Sequence, residues 1–341
     1  MRNLFIMSLL AVTIGCNNNT ENKDQPKNEK YKKMGTIERF DSSLDNIISP
    51  AARPEIIAEG FEWSEGPLWI EKHKMLLFSD VPMNTVYKWT EEKGKEVYLK
   101  PSGYTGATPS ECKEPGSNGL TLDNEGNLVL CQHGDRKVSR MDAPLDKPEA
   151  KFISLVEKFN ENRFSSPNDL VFNSHGELFF TDPPYGLKTQ DDTDPKKEIS
   201  FNGVYKVKKD GSVILLVDSI SRPNGLAFLP GEKKLIVACS DPDKPDWYVF
   251  DIEGDSATNG KVFYSAAGYD KSLKGLPDGF KVDKSGNVFA TGPGGVWIFN
   301  SEGKPLGKIK LDEATSNIAL SPDENTLYIT NDMYVLRLKM R

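Results

Sequence analysis

Histidine is scarce in this chain of 341 residues, and its few cysteines are poorly spaced for binding a metal. The three histidines, His73, His133 and His175, lie far apart in the sequence, whereas zinc hydrolases usually need two or three ligating histidines at short spacing. The four cysteines form no CxxC pair, so neither a zinc knuckle nor a redox-active dithiol is indicated. The sequence therefore argues against a zinc enzyme.

Basic charge and helical periodicity are also lacking. The formal net charge is -7, which argues against nucleic-acid binding because phosphate backbones bind to basic surfaces. No long stretch shows the 3.6-residue periodicity of an amphipathic helix. The mild acidity is read most simply as an aid to solubility, and the lack of helical periodicity fits an all-β protein.

The first sixteen residues, MRNLFIMSLLAVTIGC, resemble an export signal. They combine Arg2, an apolar run from Leu4 to Ile14 that is too short to span a membrane, and a final Gly15-Cys16. The ending TIGC resembles a bacterial lipobox, in which the cysteine is lipidated. We therefore expect a lipoprotein-type signal over residues 1–16, lipidation at Cys16 and a lipid-anchored protein of the bacterial cell envelope. An ordinary secretory signal is the alternative.

A repeated strand opening is the strongest signal in the rest of the chain. Residues 17–47 have a polar composition that predicts a flexible tether. After them, six apolar runs each open with Ser or Pro followed by an oxygen-bearing side chain: SEGPLWI, SNGLTLD, PNDLVFN, PNGLAFL, PDGFKVD and SNIALSP. The first five recur at roughly fifty residues, a period typical of propeller blades. We predict a six-bladed β-propeller of four-stranded blades over residues 48–341, with residues 54–61 closing the ring. Two β-sandwiches are the alternative, but they would not require six matching openings.

The oxygen-bearing side chains at these openings form a candidate metal site. They are Glu65, Asn118, Asn168, Asn224, Asp278 and Asn317. Because the innermost strand of every blade lines the central channel, equivalent positions converge near one axis. Carboxylate and amide oxygens suit Ca²⁺ and not softer metals, with charge from Glu65 and Asp278 and neutral oxygens from Asn168 and Asn224. The alternative is structural, since Asn-Gly and Asp-Gly are also ordinary turn formers.

Several segments together resemble the family of gluconolactonase, senescence marker protein and luciferin-regenerating enzyme. The segments are EGPLW, GSNGLTLDNEG, SPNDLVF, FFTDPPYG, RPNGLAF, LPDGFKVDKSGNVFATGPGGVWIF and SNIAL, and they cover roughly residues 60–335. TDPPYG and GPGGVWIF are similar to the bacterial gluconolactonase branch. The resemblance implies a six-bladed propeller with one divalent metal, commonly Ca²⁺, held by Glu65, Asn224 and Asp278, with Asn168 added in some relatives.

The sequence departs from the animal branch of this family at one position. There an arginine used for sugar recognition stands two residues before the asparagine of the ND motif. Here that position is Ser166, and Arg163 lies further upstream. Sugar recognition of the animal kind is therefore not expected.

These observations lead to the hypothesis of a metal-dependent lactone hydrolase. The metal would act as a Lewis acid on the lactone carbonyl. Asp278 would be both a ligand and the general base, with Asp169 as the second candidate because strand alternation turns it away. Asn118, His133 and Tyr185 are expected to contact the substrate.

Two alternatives stay open at this point. The same metal would also serve a phosphotriester or aryl-ester hydrolase, and the propeller would also serve as a non-catalytic scaffold stabilised by Ca²⁺. The natural substrate and the oligomeric state are not indicated by the sequence.

Overall fold

Short strands separated by tight turns form six antiparallel sheets, which are the blades of a propeller. The structure is a computed structural model that describes residues 30–341, and Tyr31–Arg341 form one compact unit. The predicted signal over residues 1–16, its lipidation site Cys16 and part of the predicted tether lie outside the described residues.

The first three blades follow one another along the chain. Blade 1 contains the strands Ser64–Ile70, Met75–Asp80, Thr85–Thr90 and Gly94–Leu99. Blade 2 contains Ser117–Leu122, Leu128–Gln132, Lys137–Met141 and Phe152–Val156. Blade 3 contains Leu170–Phe172, Leu178–Asp182, Gly203–Val207 and Val213–Val217. A two-stranded ribbon precedes blade 3 and consists of Lys158–Phe159 and Asn162–Arg163.

The last three blades complete the ring. Blade 4 contains Pro223–Phe228, Lys234–Cys239, Asp246–Glu253 and Ser256–Ser265. Blade 5 contains Phe280–Val282, Val288–Gly292, Gly295–Phe299, Pro305–Lys310 and, at its outer edge, Thr36–Arg39. Blade 6 contains Thr315–Leu320, Thr326–Asn331, Tyr334–Lys339 and, outermost, Glu55–Glu59.

Blade 6 closes the ring with a strand from the beginning of the folded unit. Glu55–Glu59 pairs antiparallel with Tyr334–Lys339, in the register Ile56 opposite Leu336. This pairing satisfies the backbone groups of what would otherwise be an open sheet edge. The prediction of a six-bladed propeller closed by residues 54–61 is confirmed.

The polar composition predicted a flexible tether over residues 17–47, but the folded unit already includes residues 36–46. Thr36–Arg39 pairs with the outer strand of blade 5, with Thr36 opposite Lys310. A 3₁₀ helix follows at Ser42–Asn46, and Leu44 and Ile48 are fully buried against blades 5 and 6. Although the segment is polar on average, burial of these few apolar side chains fixes it against blades 5 and 6.

The core lies between the faces of neighbouring blades. Trp89, Trp247 and Trp297 are almost completely buried there, in agreement with a packing role; full burial of a large apolar side chain contributes about 1.5–3 kcal/mol. Cys131 and Cys239 are buried free thiols. Over residues 30–341, helix is limited to the 3₁₀ segments Ser42–Asn46 and Glu71–His73, and none of it is long and apolar enough to cross a membrane.

Candidate active site

The openings of five inner strands surround a cavity of about 300 Å³ at one end of the propeller axis. Its predicted oxygen donors are Glu65, Asn118, Asn168, Asn224 and Asp278. The other lining residues are Trp63, Glu114, Tyr185, Ser240, Gly275, Leu276 and Thr315. The structure thus brings together the four residues predicted to bind a metal.

A glycine follows the oxygen-bearing residue in four of the six openings because neighbouring inner strands approach each other closely. A Cβ atom at Gly66 would collide with the backbone carbonyl of Asn118, and one at Gly225 with that of Asp278. Gly66 also has a φ of +51°, which favours glycine. The Asn-Gly and Asp-Gly pairs of this motif therefore start inner strands and allow close packing around the axis.

Side-chain hydroxyl groups bind the backbone of several openings to the preceding blade. Ser79 Oγ donates to the carbonyl of Asn118 at 3.0 Å, and Thr181 Oγ1 donates to that of Asn224 at 2.7 Å. Thr291 Oγ1 donates in the same way to Ser316 O at 3.0 Å. These bonds fix the backbone from which the cavity side chains project, so the site is preorganised.

Glu65 is buried, and Asp278 is half-buried with its Oδ1 atom inaccessible to solvent. Burial raises the pKa of Glu65 to about 8, and the charge of Asp169 adds to this, although the Gly66 N–H donates to Glu65 Oε2 at 2.9 Å. Burial, followed by the charge of Glu65, holds the pKa of Asp278 well above its ordinary value. Two such carboxylates that share one cavity are unfavourable unless a proton or a cation neutralises them.

Unpartnered oxygens in the cavity match the needs of a hard cation. Asn118 Oδ1, Asn168 Oδ1 and Asp278 Oδ1 are buried and have no hydrogen-bond partner, which is rare for buried polar atoms. Asn224 Nδ2 donates to Ser240 Oγ at 2.9 Å, which leaves its amide oxygen for a ligand. Among the described residues no three His, Cys, Asp or Glu side chains form a metal-binding group. The donor set mixes carboxylate and amide oxygens, and that chemistry fits Ca²⁺.

Asp169, the second candidate base, turns toward the axis but does not line the cavity. Its Oδ1 accepts from the Leu170 N–H at 2.8 Å, and its Oδ2 accepts from Asn317 Nδ2 of blade 6 at 3.3 Å. Lys281 Nζ lies 3.4 Å from Asn317 Oδ1. Asn317, the sixth oxygen position, is thus occupied by protein partners.

The three predicted substrate-contacting residues occupy different places. Asn118 and Tyr185 line the cavity, and the Tyr185 hydroxyl donates to Ser240 O at 3.4 Å. His133 is fully buried behind Glu114, with Nδ1 3.8 Å from Glu114 Oε2, and is not part of the cavity wall. Burial lowers the pKa of His133 to about 3, so its imidazole is neutral near pH 7.

Ser166 and Asp182 hold the loop that carries Tyr185. Ser166 Oγ donates to Pro183 O at 2.6 Å and accepts from the Gly186 N–H at 2.8 Å. Asp182 accepts from the backbone N–H of Ser166 at 2.7 Å. Ser166 therefore has a structural role where the animal branch carries arginine.

Sequence reasoning missed six of the cavity residues, namely Trp63, Glu114, Ser240, Gly275, Leu276 and Thr315. Of these, Glu114 and Trp63 lie on the connections that lead into the inner strands of blades 2 and 1. Neither belongs to the repeated opening, so the repeat gave no signal for them. The sequence signal that could have identified Glu114 and Trp63 is their position shortly before Asn118 and Glu65, because the connections that carry them end at the cavity.

Comparisons with known proteins agree with this architecture. The family model described as "SMP-30/Gluconolactonase/LRE-like region" matches residues 63–332. A gluconolactonase from Zymomonas mobilis is 37% identical over 314 residues, which cover 90% of this chain and 87% of the relative. The structure of a gluconolactonase from Xanthomonas campestris has a TM-score of 0.78 at 28% identity and covers 91% of this chain and 97% of its own. A calcium-binding regucalcin from Agrobacterium tumefaciens shares the fold, with a TM-score of 0.63 at 17% identity over 84% of this chain and 94% of its own. The chain belongs to the SMP-30/gluconolactonase/LRE-like family.

Proposed function

We propose that this chain is a lactone hydrolase that opens sugar lactones such as gluconolactone. The observation that carries the proposal is the meeting of Glu65, Asn168, Asn224 and Asp278 from four blades in one cavity. Similarity to the gluconolactonases of Zymomonas mobilis and Xanthomonas campestris supports the reaction class. The cavity also lies at the lower end of the size range of small-molecule sites.

We propose further that these four residues hold one divalent cation, most simply Ca²⁺. The unpartnered oxygens of Asn168 and Asp278 and the two carboxyl groups with raised pKa values support this assignment. When bound, such an ion polarises a carbonyl group and stabilises the negative charge that develops on its oxygen.

Residues of the chain itself would carry out the proton transfers of the reaction. Asp278 has a carboxylate oxygen in the cavity without a protein partner, so it is placed to accept the proton of an attacking water. As water adds to the carbonyl carbon, the bond from that carbon to the ring oxygen breaks. Asp278 then returns the proton to the departing oxygen, which becomes a hydroxyl group. Asp169 is a weaker candidate because Asn317 engages its carboxylate.

A chelation experiment tests both parts of the proposal. Purified protein is expected to open glucono-δ-lactone above the uncatalysed rate, to lose this activity after EDTA treatment and to regain it with Ca²⁺. Full activity after EDTA treatment would refute the metal dependence but leave the lactone reaction in place. Hydrolysis of an aryl ester or a phosphotriester, without hydrolysis of lactones, would show that the substrates are esters of that kind and not lactones. Loss of thermal stability on chelation, with no hydrolysis at all, would support a scaffold.

A further inference from the structure

Glu114 is a cavity residue to which the proposed chemistry gives no role. It lies on the connection between blades 1 and 2, and 23% of its side chain is exposed. It contributes to the wall of the same cavity as Asp278. A carboxyl group placed in a substrate cavity and not needed for the reaction suggests a contact with the substrate.

The backbone around Glu114 is held from both sides. The Gly116 N–H donates to Val81 O of the preceding blade at 2.8 Å. On the other side, the N–H groups of His133 and Gly134 donate to Gly116 O and Pro115 O, each at 3.2 Å. The segment that carries Glu114 therefore has a fixed position between two blades.

A second loop holds the carboxyl group itself. Gln190, in the long loop between Leu178–Asp182 and Gly203–Val207 of blade 3, donates from Nε2 to Glu114 Oε1 at 3.0 Å. Gln190 has a φ of +60°, a left-handed conformation that non-glycine residues seldom adopt. Such conformations concentrate at functional sites, where the surrounding structure maintains them. Glu114 is thus oriented by a residue whose own backbone is strained.

The remaining acceptor capacity of Glu114 selects the kind of group that it binds. An ionised carboxylate has about four acceptor sites; Gln190 fills one, and His133 Nδ1 at 3.8 Å is too distant for a hydrogen bond. Burial raises the pKa of Glu114 to about 7, so its ionised form prevails above that pH. The carbonyl and ring oxygens of a lactone are acceptors only, so the ionised form of Glu114 cannot bind them through hydrogen bonds. Hydroxyl substituents on the ring are donors and match it.

We propose that Glu114 binds the hydroxyl groups of the substrate and makes the site selective for polyhydroxylated lactones over unsubstituted ones, with Gln190 as its positioning residue. This inference rests on the proposed lactone hydrolysis. It concerns which lactone binds and leaves the reaction itself to the residues around Asp278.

The test compares kcat and KM for glucono-δ-lactone and for δ-valerolactone, which has the same ring without hydroxyl groups. Replacement E114A is expected to raise KM for glucono-δ-lactone about tenfold to hundredfold, with little change in kcat, because a charge-assisted hydrogen bond is lost. The constants for δ-valerolactone should stay within about twofold. Q190A should act in the same direction but more weakly, and E114A/Q190A should match E114A, because the two residues act as one unit.

Glu111 offers a matched control on the same loop. It is an exposed carboxylate that pairs with Lys188 and Lys196 and does not line the cavity, so E111A should leave both substrates unchanged. An equal loss with both lactones in E114A would overturn the proposal and place Glu114 in the reaction or the fold. No change with either lactone would also overturn it. If the unaltered protein opens neither lactone, the proposed function fails first, and this inference falls with it.

Discussion

Asn168 and Asn317 are the same residue type at equivalent positions of two inner strands, yet their surroundings differ. Asn168 lines the cavity, and its Oδ1 has no partner. Asn317 is engaged at both ends of its amide, since Oδ1 accepts from the Ile318 N–H at 2.9 Å and Nδ2 donates to Asp169. The repeat brings an amide to the axis at both places, and its neighbours decide whether it is left for a ligand.

The residue after each opening explains this difference. Blade 3 has Asp169 where four other blades have glycine, and its carboxylate reaches the Asn317 amide. Blade 5 has Gly279, and a Cβ atom there would occupy the place of the Asn317 side chain. Asn317 thus fills the space beside a glycine and binds Asp169, whereas Asn168 faces the cavity.

The largest expected effect comes from replacing the carboxyl group that faces the cavity. D278N removes both a charged ligand and the proposed base, so kcat for glucono-δ-lactone should fall by roughly 10²–10⁴-fold. The metal-free protein should be no less stable, because a neutral amide replaces a half-buried carboxyl group whose ionised form is penalised. Steady-state kinetics and thermal unfolding of the same preparation measure the two quantities. Undiminished turnover would remove Asp278 from its proposed role.

The two asparagines provide a matched pair of variants. N168A should weaken Ca²⁺ binding by at least about tenfold and change the metal-free stability little, because its Oδ1 has no protein partner. N317A should lower the free energy of unfolding by about 1–3 kcal/mol, because it leaves the buried Asp169 carboxylate without its side-chain partner. Calcium titration and urea unfolding of both variants separate the effects. Similar losses in both variants would mean that the two amides are equivalent after all.

A smaller effect is expected in the pH dependence of stability. Burial raises the pKa of Glu65 from its ordinary value of 4.5 to about 8, so between these values the folded form keeps a proton that the unfolded chain releases. The metal-free protein should therefore lose stability as the pH rises from about 4.5 to 8. Saturating Ca²⁺ should flatten this slope, because the cation competes with the proton. Urea unfolding at several pH values measures this slope in the unaltered protein and in E65Q, where it should be smaller because Glu65 no longer contributes. An identical slope in E65Q would assign the effect to other carboxyl groups with raised pKa values, such as Asp278.

The sequence was sufficient to predict the ring and half of the residues that line its cavity, mainly because one physical constraint repeats. Every inner strand begins at the axis, so the spacing of the openings predicted the number of blades, and their first side chains predicted Glu65, Asn168, Asn224 and Asp278. Closure by residues 54–61 was predicted because the last interval between openings, from Asp278 to Asn317, is shorter than the others, which leaves room for an outer strand from the beginning of the chain.

Features of the structure that do not recur from blade to blade could not be predicted from the repeated strand openings. Glu114 reaches the cavity from a connection whose path depends on tertiary packing against Val81 and Gly134. His133 was expected to contact the substrate, but Glu114 stands between it and the cavity. The beginning of the folded unit was also not predicted, because Leu44 is one of few apolar residues in a polar segment.

Calorimetric titration of Ca²⁺ into EDTA-stripped protein at pH 7 measures whether the openings of the inner strands form a cation site. We expect one bound ion per chain, proton release on binding because Glu65 is protonated in the metal-free form, and strongly weakened binding in E65Q and D278N. No binding of Ca²⁺ to the unaltered protein, or binding of equal strength in both variants, would contradict a cation site built from the openings of the inner strands.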